Sequence, residues 1–148
     1  MGTVRKSITV DLPVTTVYNQ WTQFEEFPLF MEGVESVAQL DDERLHWVAE
    51  IGGTRREWDA QIIDQAPDRR IAWEAIGGQR NAGVVTFEPE SATQTRIELE
   101  IDYETEGLKE KTGDALGVVG RRVNGDLERF KSFVESRGIE TGAWRGSI

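Results

Sequence analysis

The sequence predicts an α+β fold, a curved antiparallel sheet of about seven strands packed against one long C-terminal helix. Three observations carry this prediction. From Gly33 to Glu104 the apolar residues recur with period two, broken only by short turn signals, as in a β-meander. From Leu108 to Arg137 the spacing changes to three and four, the period of an amphipathic helix. Between the first strand and the meander, two short runs of apolar residues also keep helical spacing. The resulting order is β-α-α-β6-α, read as a single domain over residues 1–148 with a tail at 139–148.

Thr3 to Asp11 alternates as the first strand, and Pro13 closes it. Val14 to Trp21 is the first short helix, carrying Val14, Val17, Tyr18 and Trp21 on one side. Phe24, Phe27, Phe30 and Met31 repeat that spacing in FEEFPLFMEGV, where Pro28 fits a first helical turn or a bend. The meander comprises Gly33–Leu40, Arg44–Ile51, Thr54–Gln65, Arg69–Ile76, Asn81–Glu88 and Thr95–Glu104. Gly52-Gly53 suits a two-residue hairpin turn, and Asp41-Asp42-Glu43, Pro67-Asp68, Gly77-Gly78 and residues 89–93 supply the other reversals.

These turns set a register. Gly52-Gly53 places Trp47 opposite Trp58 and Ala49 opposite Arg56. A turn at Pro67-Asp68 sets Trp73 against Ile62 and Ala75 against Ala60. A turn at Asp42-Glu43 sets Ala38 against Trp47 and Leu40 against Leu45. One face then carries Ser36, Ala38, Leu40, Leu45, Trp47, Ala49, Ile51, Arg56, Trp58, Ala60, Ile62, Ile71, Trp73 and Ala75, continued by Ile97, Leu99, Ile101 and Tyr103. That face is the inner one. The other carries His46, Glu50, Glu57, Asp59 and Glu74. For Asn81–Glu88 both Val84/Thr86 and Val85/Phe87 remain open as the inner pair.

In the long helix Leu116, Val119, Val123, Leu127, Phe130 and Val134 form the apolar stripe, and Gly138 stands at the C-terminal cap. Gly113, Gly117, Gly120 and Gly125 weaken the first half, each by about 1 kcal/mol relative to alanine. Two readings follow: a helix beginning only near Val118 or Val123, or a looser half-helix arching over the sheet.

The formal net charge of −10 disfavours phosphate backbones and so excludes nucleic acid as the expected partner. No cysteine is present, which excludes disulfides, thiol catalysis and cysteine-based metal sites. No apolar run approaches the ~20 residues of a membrane span, although transient membrane contact stays open. The N-terminal MGTVRKSITV lacks a signal-peptide core, so the expected compartment is the cytoplasm. No cofactor or metal is expected, since the single histidine, His46, falls on the outer face. Monomer and homodimer are both open.

The inner face interleaves tryptophans with Ala38, Ala49, Ala60 and Ala75 and brings in Arg56 and Tyr103. Such a face either packs solid, with Arg56 reaching solvent at a strand end, or leaves an apolar hollow with a few polar groups. The second is the usual composition of a small-molecule site.

The element order, together with FEEFPLFMEGVESV, LHWVAEIGGTRREWDAQIIDQAPDRRIAWEA and GDALGVVGRRVNGDLERFKSFVE, resembles the helix-grip fold of the START-like, or SRPBCC, superfamily. Within it the likeness is to bacterial polyketide cyclase/dehydrase-type proteins, which are similar to coenzyme-Q-binding proteins. It covers Thr3 to Ile139. The resemblance implies an apolar ligand (a lipid, an isoprenoid or quinone, or an aromatic polyketide-like molecule) held between sheet and C-terminal helix. The lining it implies is Phe27, Phe30, Met31, Trp47, Arg56, Trp58, Trp73, Tyr103, Val119, Gly120 and Val123. The alternative it implies is a cyclase or dehydrase acting in the same place, with Arg56 and Tyr103 as catalytic candidates and Thr86 as a further inward hydroxyl. Hydrophobic ligand binding is the favoured reading, because the inner face offers little acid–base chemistry.

Overall fold

A computed structural model describes residues 2–51, 54–77, 81–103 and 115–148. The side chains of residues 2, 51, 54, 103 and 115–120 are not among those described. The elements are β1 (Gly2–Val10), α1 (Val14–Trp21), a 3₁₀ helix (Phe24–Leu29), β2 (Val34–Gln39), β3 (Arg44–Ile51), β4 (Thr54–Ala66), β5 (Arg70–Ile76), β6 (Asn81–Ser91), β7 (Gln94–Tyr103) and α2 (Ala115–Arg137).

All seven strands form one antiparallel sheet in the order β1-β7-β6-β5-β4-β3-β2. The expected pairs Trp47/Trp58, Ala49/Arg56, Ile62/Trp73 and Ala60/Ala75 are all present. Val85 pairs with Leu99 and Phe87 with Ile97, and all four are buried, so Val85 and Phe87 are the inner pair of β6. Thr86 is therefore on the outer face, and its hydroxyl donates to the Glu98 carbonyl at 3.4 Å.

The β2–β3 register departs from the expectation. Val37 faces Trp47 and Gln39 faces Leu45, a slip of one residue that turns Ser36, Ala38 and Leu40 away from the core. Val37 is buried, whereas Leu40 is 54% exposed. The cause is the loop. The Leu40 N–H donates to the Arg44 carbonyl at 2.8 Å, leaving three residues in the turn instead of two. The Asp41 carboxylate accepts from the N–H groups of Glu43 and Arg44, both at 2.8 Å, which fixes that longer loop.

The second short helix is 3₁₀, with Pro28 inside it and Phe24 and Phe27 buried. The long helix begins at Ala115, so Gly117, Gly120 and Gly125 are all helical, contrary to a start near Val118 or Val123. Gly113 lies outside the described residues. Gly138 caps α2 with φ 73° and donates its N–H to the Val134 carbonyl at 2.9 Å.

The core lies between the concave sheet face and the helices. Leu127, Phe130 and Val134 of α2 are at most 1% exposed. The Phe130 ring meets Trp21 edge-on at 4.9 Å and Phe30 at 5.2 Å. Polar contacts fasten α2 along two sides. Lys131 donates to the Thr9 carbonyl at 2.7 Å, and Glu135 accepts from the Asp11 N–H at 2.7 Å. On the other side Arg129 donates to the Phe30 carbonyl at 2.8 Å, Asp126 accepts from the Glu32 N–H at 3.1 Å, and Arg122 donates to the Glu32 carbonyl.

The tail folds back over α1. Asn19 and Gln20 are buried side chains on that helix, and buried amides need partners. Glu140 and Arg145 bond the Asn19 amide, while the Thr141 N–H and hydroxyl bond that of Gln20. Arg145 also forms a two-pronged pair with Asp68, and residue 148 exchanges two backbone hydrogen bonds with Gln65.

Candidate functional site

Strand alternation and the paired registers place Trp47, Trp58 and Trp73 on the concave face. Trp47 and Trp58, directly opposite, stack with ring centroids 5.9 Å apart and planes only 4° from parallel. Phe27, brought up by the 3₁₀ helix, lies against Trp47 at 5.7 Å and against Phe30 at 5.5 Å. Met31 is half-buried against the same cluster, and Val123 reaches it from α2. Trp73 lies across Gly83: a Cβ at that position would fall 2.4 Å from the indole ring. Gly83 thus lets a large ring lie flat on the sheet.

These tryptophans are only half-buried, although they point to the core side. The Trp47 indole N–H is itself shut away from solvent and has no acceptor among the described residues. A buried donor without an acceptor costs roughly 1–3 kcal/mol, so a ligand oxygen that could accept there would recover that loss.

The expected residues fall into three groups. Phe27, Phe30, Met31, Trp47, Trp58, Trp73 and Val123 share the concave side. Arg56 lies on that face by register and is exposed, the reading in which it stands near a strand end toward solvent and not among apolar neighbours. It stands three residues from Gly53 at the hairpin end of β4. Tyr103 ends β7, and Val119 and Gly120 lie in the first turns of α2; their side chains are outside those described.

Charge divides sharply between the two faces. Each strand carboxylate whose register is set by pairing, from Glu50 to Asp102, is on the convex side. There Glu100, Glu57, Asp64 and Asp59 pair with Arg5, Arg55, Arg70 and His46 respectively. His46 sits between Asp59 at 2.7 Å and Glu57 at 3.1 Å. The hydrogen bond to Asp59, and then that to Glu57, raise its pKa above the ordinary value of 6.5. No group of carboxylates and histidine suited to a metal occurs among the described residues.

The concave strand positions include a cation that sequence reasoning missed, Lys6. It pairs in register with Leu99 and lies between Val4 and Ile8 on the inner side of β1. The signal was present in the alternation of TVRKSITVD, where Lys6 falls in phase with Val4, Ile8 and Val10.

A curved seven-stranded antiparallel sheet closed on a C-terminal helix, with an aromatic concave wall, defines a helix-grip fold. The chain belongs to the family described as "Polyketide cyclase / dehydrase and lipid transport", which it matches over residues 10–131. A protein of Streptomyces lincolnensis, described as an uncharacterized 17.2 kDa protein in the melC2-rnhH intergenic region, is 50% identical over 149 residues. That match spans 100% of this chain and 99% of the relative. The Zhui aromatase/cyclase of a Streptomyces species superposes with a TM-score of 0.79 at 18% identity, over 97% of this chain and 99% of that one. A START superfamily protein of Mycobacterium smegmatis gives 0.70 at 17% identity, over 91% and 95%. At those identities the two structures speak for the fold alone. Among the described residues, no helix is long and apolar enough to cross a membrane.

Proposed function

We propose that this protein binds or carries a small hydrophobic molecule between the concave sheet face and α2, in the cytoplasm and with the whole chain acting as one binding domain. The ligand is a lipid, an isoprenoid or quinone, or an aromatic polyketide-like compound. One observation carries the reading: Trp47, Trp58 and Trp73 face the core side yet stay half-exposed. A solid core would bury such rings, each offering 150–250 Å² of surface. Phe27, Phe30, Met31 and Val123 extend this wall, and Tyr103, Val119 and Gly120 are assigned to the same lining.

The cyclase/dehydrase alternative needs acid–base groups on the wall. Its candidate Arg56 is solvent-exposed, which favours binding over catalysis. Native mass spectrometry of protein gently extracted from its source cell should reveal a co-purifying apolar adduct, and Trp58→Ala should lose it. An empty protein that stays unaltered by a panel of lipids and quinones would refute the carrier role.

A further inference from the structure

We propose that Gly83 and Trp73 together set the depth of the ligand site and so select ligands by size. This inference rests on the ligand-binding reading above and names the pair that limits what the site accepts. The first support is where exposure begins along the sheet. Strand pairing lines up Ile71, Val85 and Leu99 across β5, β6 and β7, and all three are buried. The next concave row is Trp73, Gly83 and Ile101, and all three are half-buried. Ile62 and Val4, their register partners on either side, are buried again. The half-exposed stretch is thus bounded on three sides, with Trp73 and Gly83 at its centre.

The second support is that Gly83 has no backbone reason to be glycine. It lies inside β6 and is paired on both sides. The described glycines with positive φ are Gly33, Gly77 and Gly138, so an alanine backbone fits at position 83. A glycine within a strand weakens it, and it marks a place where another group comes close. Here that group is an indole. A Cβ on Gly83 would lie 2.4 Å from Cζ2 and 2.8 Å from Cε2 of Trp73, and 3.1 Å from Cδ1 of Ile101.

The Trp73 ring therefore occupies the space that a side chain at position 83 would fill. Ile101 and the buried Ile62 stand on either side of it in the same row. A methyl at Gly83 consequently drives the ring off the sheet, into the space offered to a ligand. In the wild-type protein the absent side chain keeps that space free.

The test is isothermal titration with two pairs of probes that share a head group and differ in size: 2-acetonaphthone against 2-acetylanthracene, and decan-1-ol against hexadecan-1-ol. Within whichever pair binds, Gly83→Ala should weaken the larger member about tenfold and leave the smaller within about twofold, the scale on which an apolar pocket registers one methylene. Trp73→Phe should shift the preference the other way, toward the larger member, and the double variant should return it to the wild-type value. Should Gly83→Ala fail to fold, as read by urea denaturation, Trp73→Phe alone decides. Equal losses for both members in Gly83→Ala, or a Trp73→Phe preference that matches wild type, overturns the size role and leaves ligand binding intact. Wild-type protein that binds neither pair removes both readings.

Discussion

The two ends of the concave face are built from the same strands and behave differently. At one end Ile71, Val85 and Ile97 are fully buried, with α1 packed against β6 and β7 and the tail bonded to Gln65. At the other, Trp58, Trp73, Ala75, Gly83 and Ile101 point the same way and remain half-exposed. Composition does not explain this, since the half-exposed end holds the larger rings. What differs is the covering. At the sealed end Phe130 of α2 meets Trp21 edge-on and Trp21 in turn meets Phe87, the partner of Ile97, whereas among the described residues no ring of α2 stacks on Trp58 or Trp73. Stability and ligand access are thereby separated along the length of single strands.

Substitution at each end should break that symmetry. Phe130→Ala removes a fully buried ring from between Trp21 and Phe30 and should cost about 3–5 kcal/mol, read by urea denaturation. Trp58→Ala deletes a larger but half-exposed ring and should cost only about 1–2 kcal/mol, while abolishing binding of a hydrophobic ligand. Equal stability losses at the two sites would mean that the half-exposed end is ordinary core, and the functional contrast would fail.

Gly33 tests the joint between the ends. Its φ is 81°, a left-handed conformation, and a Cβ there would lie 2.0 Å from the Arg122 guanidinium and 2.7 Å from the Glu50 carbonyl. Gly33→Ala should therefore cost about 1–3 kcal/mol and release Arg122 from the Glu32 carbonyl. Because that contact fastens α2 just past its glycine-rich turns, ligand exchange should also accelerate, measurable by stopped-flow tryptophan fluorescence. Unchanged exchange would show that this clamp is only structural.

Most of this layout was legible in the sequence because strand registers follow from turns. Gly52-Gly53 and Pro67-Asp68 each define a reversal, and the tryptophan pairing follows from them. The β2–β3 turn was misread because its length depends on the Asp41 side chain accepting two backbone N–H groups, a choice that alternation alone does not encode. Arg56 was placed on the right face, yet its exposure depends on distance from the strand end and not on parity. Lys6 was overlooked for a different reason: parity marks it as inward with Val4 and Ile8, but the first strand was read only as a strand, without assigning its two faces. The tail was illegible altogether, since its role is to satisfy the Asn19 and Gln20 amides, and nothing in the spacing of IETGAWRGSI announces those partners.

That tail sharpens the sealed end. Arg145 pairs with Asp68 at 2.8 Å, donates to the Asn19 side-chain Oδ1 at 2.7 Å and lies over the Tyr18 ring at 5.6 Å. The pair is partly exposed, so Arg145→Ala should cost only about 1 kcal/mol. Ligand affinity should stay at the wild-type value, because these contacts all belong to the closed end. A loss of affinity would tie the two ends together and contradict their separation.

The smallest effect belongs to the back of the tryptophan platform. His46 and Asp59 follow Leu45 and precede Ala60 on the convex side, each adjacent in sequence to a stacked tryptophan. The imidazole is held between two carboxylates, and its pKa is raised first by the hydrogen bond to Asp59. A raised folded-state pKa means that protonated His46 stabilises the fold fully below 6.5, the ordinary value, and that this stability is lost as pH climbs through the folded-state pKa. Wild type should therefore show a small decline in urea midpoint as pH rises above 6.5, and His46→Gln should flatten it. The group is partly exposed, so 0.5 M salt should shrink the decline through screening. Ligand affinity should not follow this titration, because His46 faces away from the concave wall. Affinity that did follow it would show that the convex charges reach the site through the sheet, and the division between the two faces would lose its functional meaning.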